Sequence, residues 1–321
     1  MKRIAVVGSG EIGSRHLQGL AKSKNKLSLY VVDSNNDSLE LSKKRYNEIP
    51  NSLNDIKFLN DISLLPSAID IGIISTTSIH RKQLIESLLK ISSIKYMILE
   101  KIVFQNVEDF DTVVKLFSKN NTKSWVNCNR RTFKIYQKIK EYISGEQIFM
   151  KVMGNSWGMA CNSIHFIDLF LYLTSQDTLS FRNDDLVKKI IHSKRENFFE
   201  IKGKLYAETE RGDKLELIDD KNYDKEFFQI EIYYKHNEIK VDEINKRFKI
   251  ISESKEVLEE KIEIPFQSDQ TGILVDKLFD TNDLSLPTLN ACMKYHIPML
   301  LSFNDYFSKV MKKEIKSCPI T

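Results

Sequence analysis

The chain has 321 residues, of which 41% are hydrophobic and 29% charged, which is typical of a globular protein with room for two domains. Its 48 basic and 44 acidic residues are spread along the chain, so we expect no nucleic-acid partner. No apolar run approaches the roughly eighteen residues that span a bilayer, and we expect a soluble protein without a membrane partner. The four cysteines are widely separated and form no CxxC pair, so neither a disulfide framework nor a structural zinc site is indicated, which fits a cytoplasmic protein: Cys128, Cys161, Cys292 and Cys318.

A strand, a glycine turn and a helix are predicted at the start of the chain. The apolar run from Ile4 to Val7 precedes the sequence Gly-Ser-Gly-Glu-Ile-Gly, which begins at Gly8 and has the spacing GxGxxG. In such a turn, Gly8 allows the sharp bend, Gly10 lets a pyrophosphate approach the backbone, and Gly13 lets the helix pack on the strand. The N-terminus of the helix then offers N–H groups and a positive dipole end to phosphates.

A second strand, Leu27 to Val32, ends at an acidic residue that indicates the cofactor. Asp33 lies about twenty residues beyond the last glycine, the spacing at which a carboxylate reaches the ribose 2′-hydroxyl of a dinucleotide. A carboxylate accepts a hydrogen bond from that hydroxyl but repels a 2′-phosphate. Ser34 and Asn35 are too small and neutral to bind a phosphate. The sequence therefore predicts NAD rather than NADP.

Helices and strands alternate through the rest of the first half. Helices are predicted at 37–46, 62–68, 79–89, 107–118 and 132–143, and strands at 70–75, 96–99 and 125–127. This alternation predicts a doubly wound parallel sheet, whose ligands gather at the carboxyl ends of the strands. The segments at those ends are Asp33, Ser75 to Ser78, Lys101, and Asn127 to Arg131.

Beyond Gly145 the pattern changes to consecutive strands. They are predicted at 148–152, 197–207, 215–219, 227–234, 239–244, 248–252 and 257–264, with helices at 162–173, 269–280 and 288–312. Pro298 should kink or break the last helix. The fold class is therefore α/β, with a Rossmann domain at 1–128 and an α+β domain at 129–321 that has an open, mostly antiparallel sheet. The open face of that sheet favours a homodimer or homotetramer.

Several segments together resemble the Gfo/Idh/MocA oxidoreductases, and the resemblance covers nearly the whole chain. They are Gly8 to His16, Thr76 to His80, Glu100-Lys101, Asn129 to Arg131, Ser163 to Asp168, and Leu286 to Thr288. Members typically oxidise or reduce a hydroxyl carbon of a sugar, cyclitol or nucleotide-linked sugar with NAD(P). They use the lysine of an EKP motif and a helix histidine near the nicotinamide. The resemblance thus implies that Lys101 and His165 are catalytic.

The candidate site residues fall into two groups, and no metal site is predicted. Cofactor contacts are expected from Gly8, Ser9, Gly10, Glu11, Ile12, Gly13, Asp33, Ser75, Thr76, Thr77, His80 and Glu100. Substrate contacts are expected from Lys101, Arg131, Trp157, Cys161, Asn162, His165 and Asp168. Trp157 fits either the core or a platform on which a sugar stacks.

The sequence departs from the family pattern at three positions. Ile102 stands where EKP has proline, Thr76 where the fourth-strand loop usually has proline, and Cys161 where many members have a catalytic aspartate. Cys161 shares a helix face with His165 and Asp168. Its thiol could be a small packed group, a nucleophile, or a metal ligand with those two residues.

Two functions remain open at this stage. One is hydride transfer between NAD(H) and a sugar or nucleotide-sugar, with His165 exchanging the hydroxyl proton and Lys101 holding the oxygen. The other is a sensor or scaffold protein that keeps the nucleotide site but has lost turnover, which the cysteine at position 161 motivates.

Overall fold

The computed structural model describes residues 1–50, 52–253 and 255–321, which divide into two compact units. The first unit comprises 1–104, 108–127 and 265–289, and the second comprises 105–107, 128–264 and 290–321. The principal division after residue 127 lies close to the predicted one. Segment 265–289, which we predicted in the second domain, belongs to the first unit instead.

The elements alternate up to residue 126 and then become mostly strands. The first half contains β1 (Lys2–Val7), α1 (Glu11–Ala21), β2 (Leu27–Val32), α2 (Asn36–Asn47), β3 (Asp55–Leu59), β4 (Ala68–Ile74), α3 (Arg81–Ile91), β5 (Ser93–Leu99), α4 (Val107–Lys119) and β6 (Lys123–Val126). There follow α5 (Lys134–Ile143), β7 (Phe149–Gly154), α6 (Met159–Thr174), β8 (Ser180–Arg182), β9 (Ile191–His192), β10 (Phe199–Glu200), β11 (Gly203–Glu208), β12 (Lys214–Asp219), β13 (Phe228–Tyr234), β14 (Asn237–Asp242), β15 (Arg247–Ser252), β16 (Lys255–Lys261), α7 (Gln267–Thr281) and α8 (Leu289–Met311).

Two predicted elements were wrong, and one predicted helix break was not found. The helix expected at 62–68 is a single 3₁₀ turn, Ile62–Leu64, because Pro66 has no N–H to donate and β4 begins two residues later. The strand expected at 197–207 is two strands, β10 and β11. The last helix lies within one residue of its predicted bounds and does not break at Pro298, since burial of Met299 and Phe303 stabilises it despite the missing hydrogen bond.

The first unit is built on a parallel sheet with the strand order β3-β2-β1-β4-β5-β6. Its central strands are almost entirely buried, as expected where both faces are covered. The residue after a strand donates its backbone N–H to the last carbonyl of the neighbouring strand: Ser75 N to Val7 O (2.8 Å), Glu100 N to Ile74 O (2.9 Å) and Asn127 N to Leu99 O (2.9 Å). These bonds bring the loops at the carboxyl ends side by side.

Helix α7 belongs to the first unit because it packs closely on α1. A Cβ on Gly272 would lie 2.3 Å from the carbonyl oxygen of Gly19, and a Cβ on Gly19 would lie 2.9 Å from the Cβ of Thr271. Only glycine permits so close an approach of two helix backbones. Leu274, Val275 and Leu278 of α7 complete the apolar core of this unit.

The second unit contains a sheet with the order β16-β15-β14-β13-β7-β12-β11-β8. Its pairs are antiparallel except β7 with β12, so the mostly antiparallel sheet is confirmed. Ile230 and Ile232 are fully buried, whereas their neighbour Glu231 lies near Lys240 of β14 at 3.8 Å. Among the described residues, no helix has the length and apolarity needed to cross a membrane.

Candidate functional site

The glycines of the first turn are required for different reasons. Gly8 has φ +87°, and a Cβ there would lie 2.6 Å from Thr76 N. A Cβ on Gly13 would lie 1.8 Å from Gly8 O, so the turn itself excludes a side chain. Gly10 has an ordinary φ of −65°, and among the described residues no atom lies within 4 Å of its Cβ position. That space is open, and a ligand on the turn would occupy it.

The N-terminus of α1 is arranged to receive an anion. Gly10 is its N-cap without any side-chain hydrogen bond, and Glu11 and Ile12 are exposed. The N–H groups of the first turn have no partner within a helix, and the dipole adds positive potential. This geometry suits the pyrophosphate of a dinucleotide.

Asp33 is held beside this turn. Its Oδ2 accepts a hydrogen bond from Ser9 N at 2.7 Å, and its Oδ1 accepts from Asn35 N at 2.9 Å. The side chain is partly exposed, and a carboxylate has about four acceptor positions, so capacity remains for a ribose hydroxyl. Arg45 of α2 stabilises the start of α1, because it donates hydrogen bonds to Glu11 O at 3.0 Å and Ser14 Oγ at 2.6 Å.

The loop after β4 lies against the glycine turn. Ser75 Oγ donates to Gly8 O at 2.6 Å, and Thr76 contacts the Cα side of the same glycine. Thr77 and His80 are exposed, and His80 directly precedes α3. The structure thus brings Ser75 and Thr76 to the predicted cofactor site, while the other two side chains lie on the outer part of the loop.

Glu100 was predicted to contact the cofactor, but it is only 7% exposed and belongs to a buried polar network. Its Oε1 hydrogen-bonds His16 Nε2 at 2.9 Å and accepts from Asn127 Nδ2 at 2.5 Å. The other ring nitrogen of His16 is hydrogen-bonded to Thr271 Oγ1 of α7 at 2.9 Å. Burial acts to raise the pKa of Glu100, but these bonds and the charge of Lys101 outweigh it and hold that pKa below its ordinary value. Glu100 therefore remains a carboxylate behind Lys101.

Arg81 was not predicted, yet it organises the loop that carries Lys101. Its side chain is 1% exposed, and its guanidinium donates to backbone carbonyls on both loops: Thr76, Glu100 (2.5 Å), Ile102 (2.5 Å) and Val103 (2.9 Å). Lys101 is partly buried, and its peptide bond to Ile102 is cis. No sequence signal could have identified this role, because the acceptors are backbone carbonyls, which every residue has.

In the second unit, α6 carries the predicted histidine. Cys161, Asn162 and His165 are partly buried on its first turns. Cys161 Sγ donates to Gly158 O at 3.4 Å, and Asn162 Nδ2 donates to Trp157 O at 2.8 Å. The side chain of Asn162 therefore stabilises the start of the helix, and Cys161 lies one turn before His165.

Asp168 and Arg131 were predicted to bind substrate, but the structure pairs them with each other. Asp168 is fully buried, and Arg131 donates to it from Nε at 2.9 Å and from Nη2 at 2.5 Å. Tyr295 of α8 adds a third hydrogen bond at 2.5 Å. Burial raises the pKa of Asp168 to about 6, although Arg131 and Tyr295 act in the opposite direction. These groups stabilise the unit and leave the carboxylate no access to substrate.

Trp157 is a packing residue. Its Nε1 donates to Ile218 O at 2.8 Å, and its ring lies edge-on to Phe166 and Phe228 with centroids 5.5 and 5.8 Å away. No group of three or more His, Cys, Asp or Glu within residues 1–50, 52–253 and 255–321 is arranged to hold a metal ion. With its carboxylate bound by Arg131 and Tyr295, Asp168 does not share a metal with Cys161 and His165.

Comparison with known families agrees with this geometry in the first half of the chain. Residues 2–128 match the Gfo/Idh/MocA family, described as "Oxidoreductase family, NAD-binding Rossmann fold". The Gfo/Idh/MocA resemblance and the nucleotide-binding fold predicted from the first motif are confirmed. No curated protein sequence matches the chain.

Solved structures resemble the chain over almost its whole length. UDP-N-acetylglucosamine 3-dehydrogenase GnnA from Acidithiobacillus ferrooxidans has a TM-score of 0.70 at 13% identity and covers 93% of this chain and 95% of its own. The apo scyllo-inositol dehydrogenase from Lactobacillus casei has a TM-score of 0.68 at 17% identity, with 96% of each chain covered. The super-repressor mutant of Gal80p from Saccharomyces cerevisiae has a TM-score of 0.69 at 13% identity, with 98% of each covered. At these identities the likeness shows that both units share the Gfo/Idh/MocA fold.

Proposed function

We propose that this protein is an oxidoreductase that transfers a hydride between NAD(H) and a hydroxyl or carbonyl carbon of a sugar or nucleotide-sugar. The observation that carries the proposal is Gly10, whose missing side chain leaves open space at the N-terminus of α1, where a bound pyrophosphate would lie. The family of residues 2–128 supports nucleotide binding, and the dehydrogenases of similar fold support the substrate class.

NAD rather than NADP is the proposed cofactor because of Asp33. Its carboxylate lies against the turn through Ser9 N and would repel the extra phosphate of NADP. Bound NAD would supply the hydride acceptor or donor beside the substrate. Gly8, Ser9, Gly10 and Gly13 would bind its pyrophosphate through backbone N–H groups, and Ser75 and Thr76 would complete the wall of the site.

Two side chains would stabilise the charge on the reacting oxygen and transfer its proton. Lys101, fixed by the neighbouring peptide groups that Arg81 binds, would donate a hydrogen bond to the reacting oxygen and stabilise its negative charge. His165 would take the hydroxyl proton during oxidation and return it during reduction. We expect the protein to act in the cytoplasm as a homodimer or homotetramer; the grounds are its four cysteines, none of which forms a disulfide, and its open sheet.

The second candidate function is a nucleotide-binding sensor without turnover. The super-repressor mutant of Gal80p shares the fold, and Cys161 stands where many family members have aspartate. Both candidates require the nucleotide site, so they differ only in catalysis.

The nucleotide site is tested with a matched pair of glycine substitutions. Gly10→Ala should weaken NADH binding about tenfold or more while changing the free energy of unfolding by less than about 0.5 kcal/mol, because its Cβ meets no protein atom. Gly13→Ala should lower that free energy by about 1–3 kcal/mol through its clash with Gly8 O. Unchanged NADH affinity in Gly10→Ala, measured by fluorescence titration, would contradict the proposed site. Asp33→Ala should bring the Kd values of NADH and NADPH closer together, mainly by raising the Kd of NADH.

Catalysis is tested by Lys101→Ala and His165→Ala. Each should lower kcat about 10²-fold and leave the Kd of NADH unchanged, with exposed Lys134→Ala as the control. Turnover is measured over a panel of polyols, sugars and UDP-sugars. Tight NADH binding without turnover of any of them would favour the sensor.

A further inference from the structure

Helix α6 begins at a residue that cannot cap it. Gly158 is the N-cap, has φ +74°, and offers no side-chain hydrogen bond. The missing acceptor comes from strand β10, where Glu200 Oε2 accepts from Ala160 N at 2.9 Å. A carboxylate in this position satisfies a first-turn N–H and interacts favourably with the positive end of the helix dipole.

The same carboxylate lies beside the thiol of the helix. A Cβ on Gly158 would lie 3.3 Å from both Glu200 Oε1 and Cys161 Sγ, so both groups flank the side of the glycine that carries no side chain. The Cys161 thiol has one proton and two acceptors beside it, Gly158 O at 3.4 Å and the Glu200 carboxylate, and His165 follows one turn later on α6. Glu200 therefore reaches the active helix through two contacts, one with its backbone and one with a side chain on the face of His165.

The surroundings of Glu200 favour its neutral form. Burial raises the pKa of Glu200, and the hydrogen bonds from Cys161 and Ala160 oppose this only partly. The nearest acidic group on a neighbouring element, Asp219 of β12, raises it further, and Lys202 lies 3.7 Å from Asp219. A carboxyl group of this kind changes its charge closer to neutral pH than an exposed glutamate does.

We propose that Glu200 is a positioning residue for proton exchange at His165, acting through the Cys161 thiol and the first turn of α6. The role rests on the proposed oxidoreductase function. Ionised Glu200 binds the thiol and the helix N-terminus and fixes the turn that precedes the histidine. Protonation removes the negative charge of Glu200 and so weakens its contacts with the thiol and with the N-terminus of α6.

The first test needs neither substrate nor turnover. Cys161 is partly exposed, whereas the chain's other cysteines, all within the described residues, are buried, so iodoacetamide reports on this thiol. A carboxylate that accepts from a thiol suppresses formation of the reactive thiolate. Glu200→Gln should therefore raise the alkylation rate at pH 7 by about three- to tenfold. Exposed Glu196→Gln, before the same strand, should leave it unchanged, and Cys161→Ser should abolish it. Equal rates in the parent and Glu200→Gln would overturn the contact.

The second test is the pH profile of turnover. Glu200→Gln should lower kcat about tenfold, leave the Kd of NADH unchanged, and remove one ionisation from the profile, whereas Glu200→Asp should restore that ionisation. A profile with the same ionisations as the parent would overturn the role in proton exchange, even if stability had changed. A parent protein without turnover would refute the proposed function and this role together, while the labelling rates would still decide the contact.

Discussion

Replacing Arg81 with methionine tests whether one buried guanidinium fixes the loop that carries Lys101. Methionine keeps most of the side-chain volume but removes every donor to the carbonyls of Thr76, Glu100, Ile102 and Val103. A hydrogen bond to a charged group contributes about 1.5–3 kcal/mol, and the values are not additive because loop carbonyls regain water. The acceptors are neutral carbonyls, and each one left buried without a donor costs about 1–3 kcal/mol, so we expect the free energy of unfolding to fall by about 3–5 kcal/mol in total.

The assay is urea unfolding of Arg81→Met together with hydrogen exchange of the amides at 99–104. Exchange should accelerate in that segment and remain unchanged in β1 and β2. Lys82→Met is the matched control, because Lys82 is the next residue of α3 and its ion pairs with Glu86 (3.5 Å) and Asp109 (3.9 Å) are partly exposed. A loss below about 1 kcal/mol with unaltered exchange would refute the reasoning. It would mean that burial of Ile102, Val103 and Phe104 organises the loop without the guanidinium.

Two further predictions concern the two units separately. Gly272→Ala should lower the free energy of unfolding by about 1–3 kcal/mol, because its Cβ would clash with Gly19 O. Thermal unfolding measures this loss, and an unchanged Tm would contradict the close contact between α1 and α7. Asp168 has a pKa of about 6 when folded and an ordinary value when unfolded, so its contribution to stability is present at low pH and is lost as pH rises from about 4 to 6. Asp168→Asn should flatten this dependence in urea unfolding at pH 4.5 and 7, and parallel curves would show that burial does not raise its pKa.

The nucleotide half was predictable because its signals are local. Strand, glycine turn and helix follow one another within the first residues, and the spacing from Gly13 to Asp33 predicts the ribose contact. The structure places Asp33 beside Ser9, as a site of this kind requires. Ser9 and Asp33 both lie near the start of the chain, so neither has to be predicted from a segment far away in the sequence.

The remaining features depend on partners far apart in sequence. Helical spacing correctly placed Asp168 near the face of His165, but it carried no information about Arg131 and Tyr295, which bind the carboxylate. The placement of α7 depends on Gly19 and Gly272, and a glycine inside a helix does not indicate which helix it will meet. Glu200 was overlooked for the same reason, since its contact with α6 comes from a separate strand.

Because α7 belongs to the first unit, that unit cannot complete its folding early in synthesis. During synthesis the glycine turn and the parallel strands leave the ribosome first, but the α1 surface around Gly19 stays uncovered until Thr271 and Gly272 appear. His16 likewise lacks its hydroxyl partner until then. The first unit therefore reaches its final packing only after nearly the whole chain has been translated. A stalled or truncated N-terminal fragment would leave apolar surface of α1 exposed to chaperones and proteases.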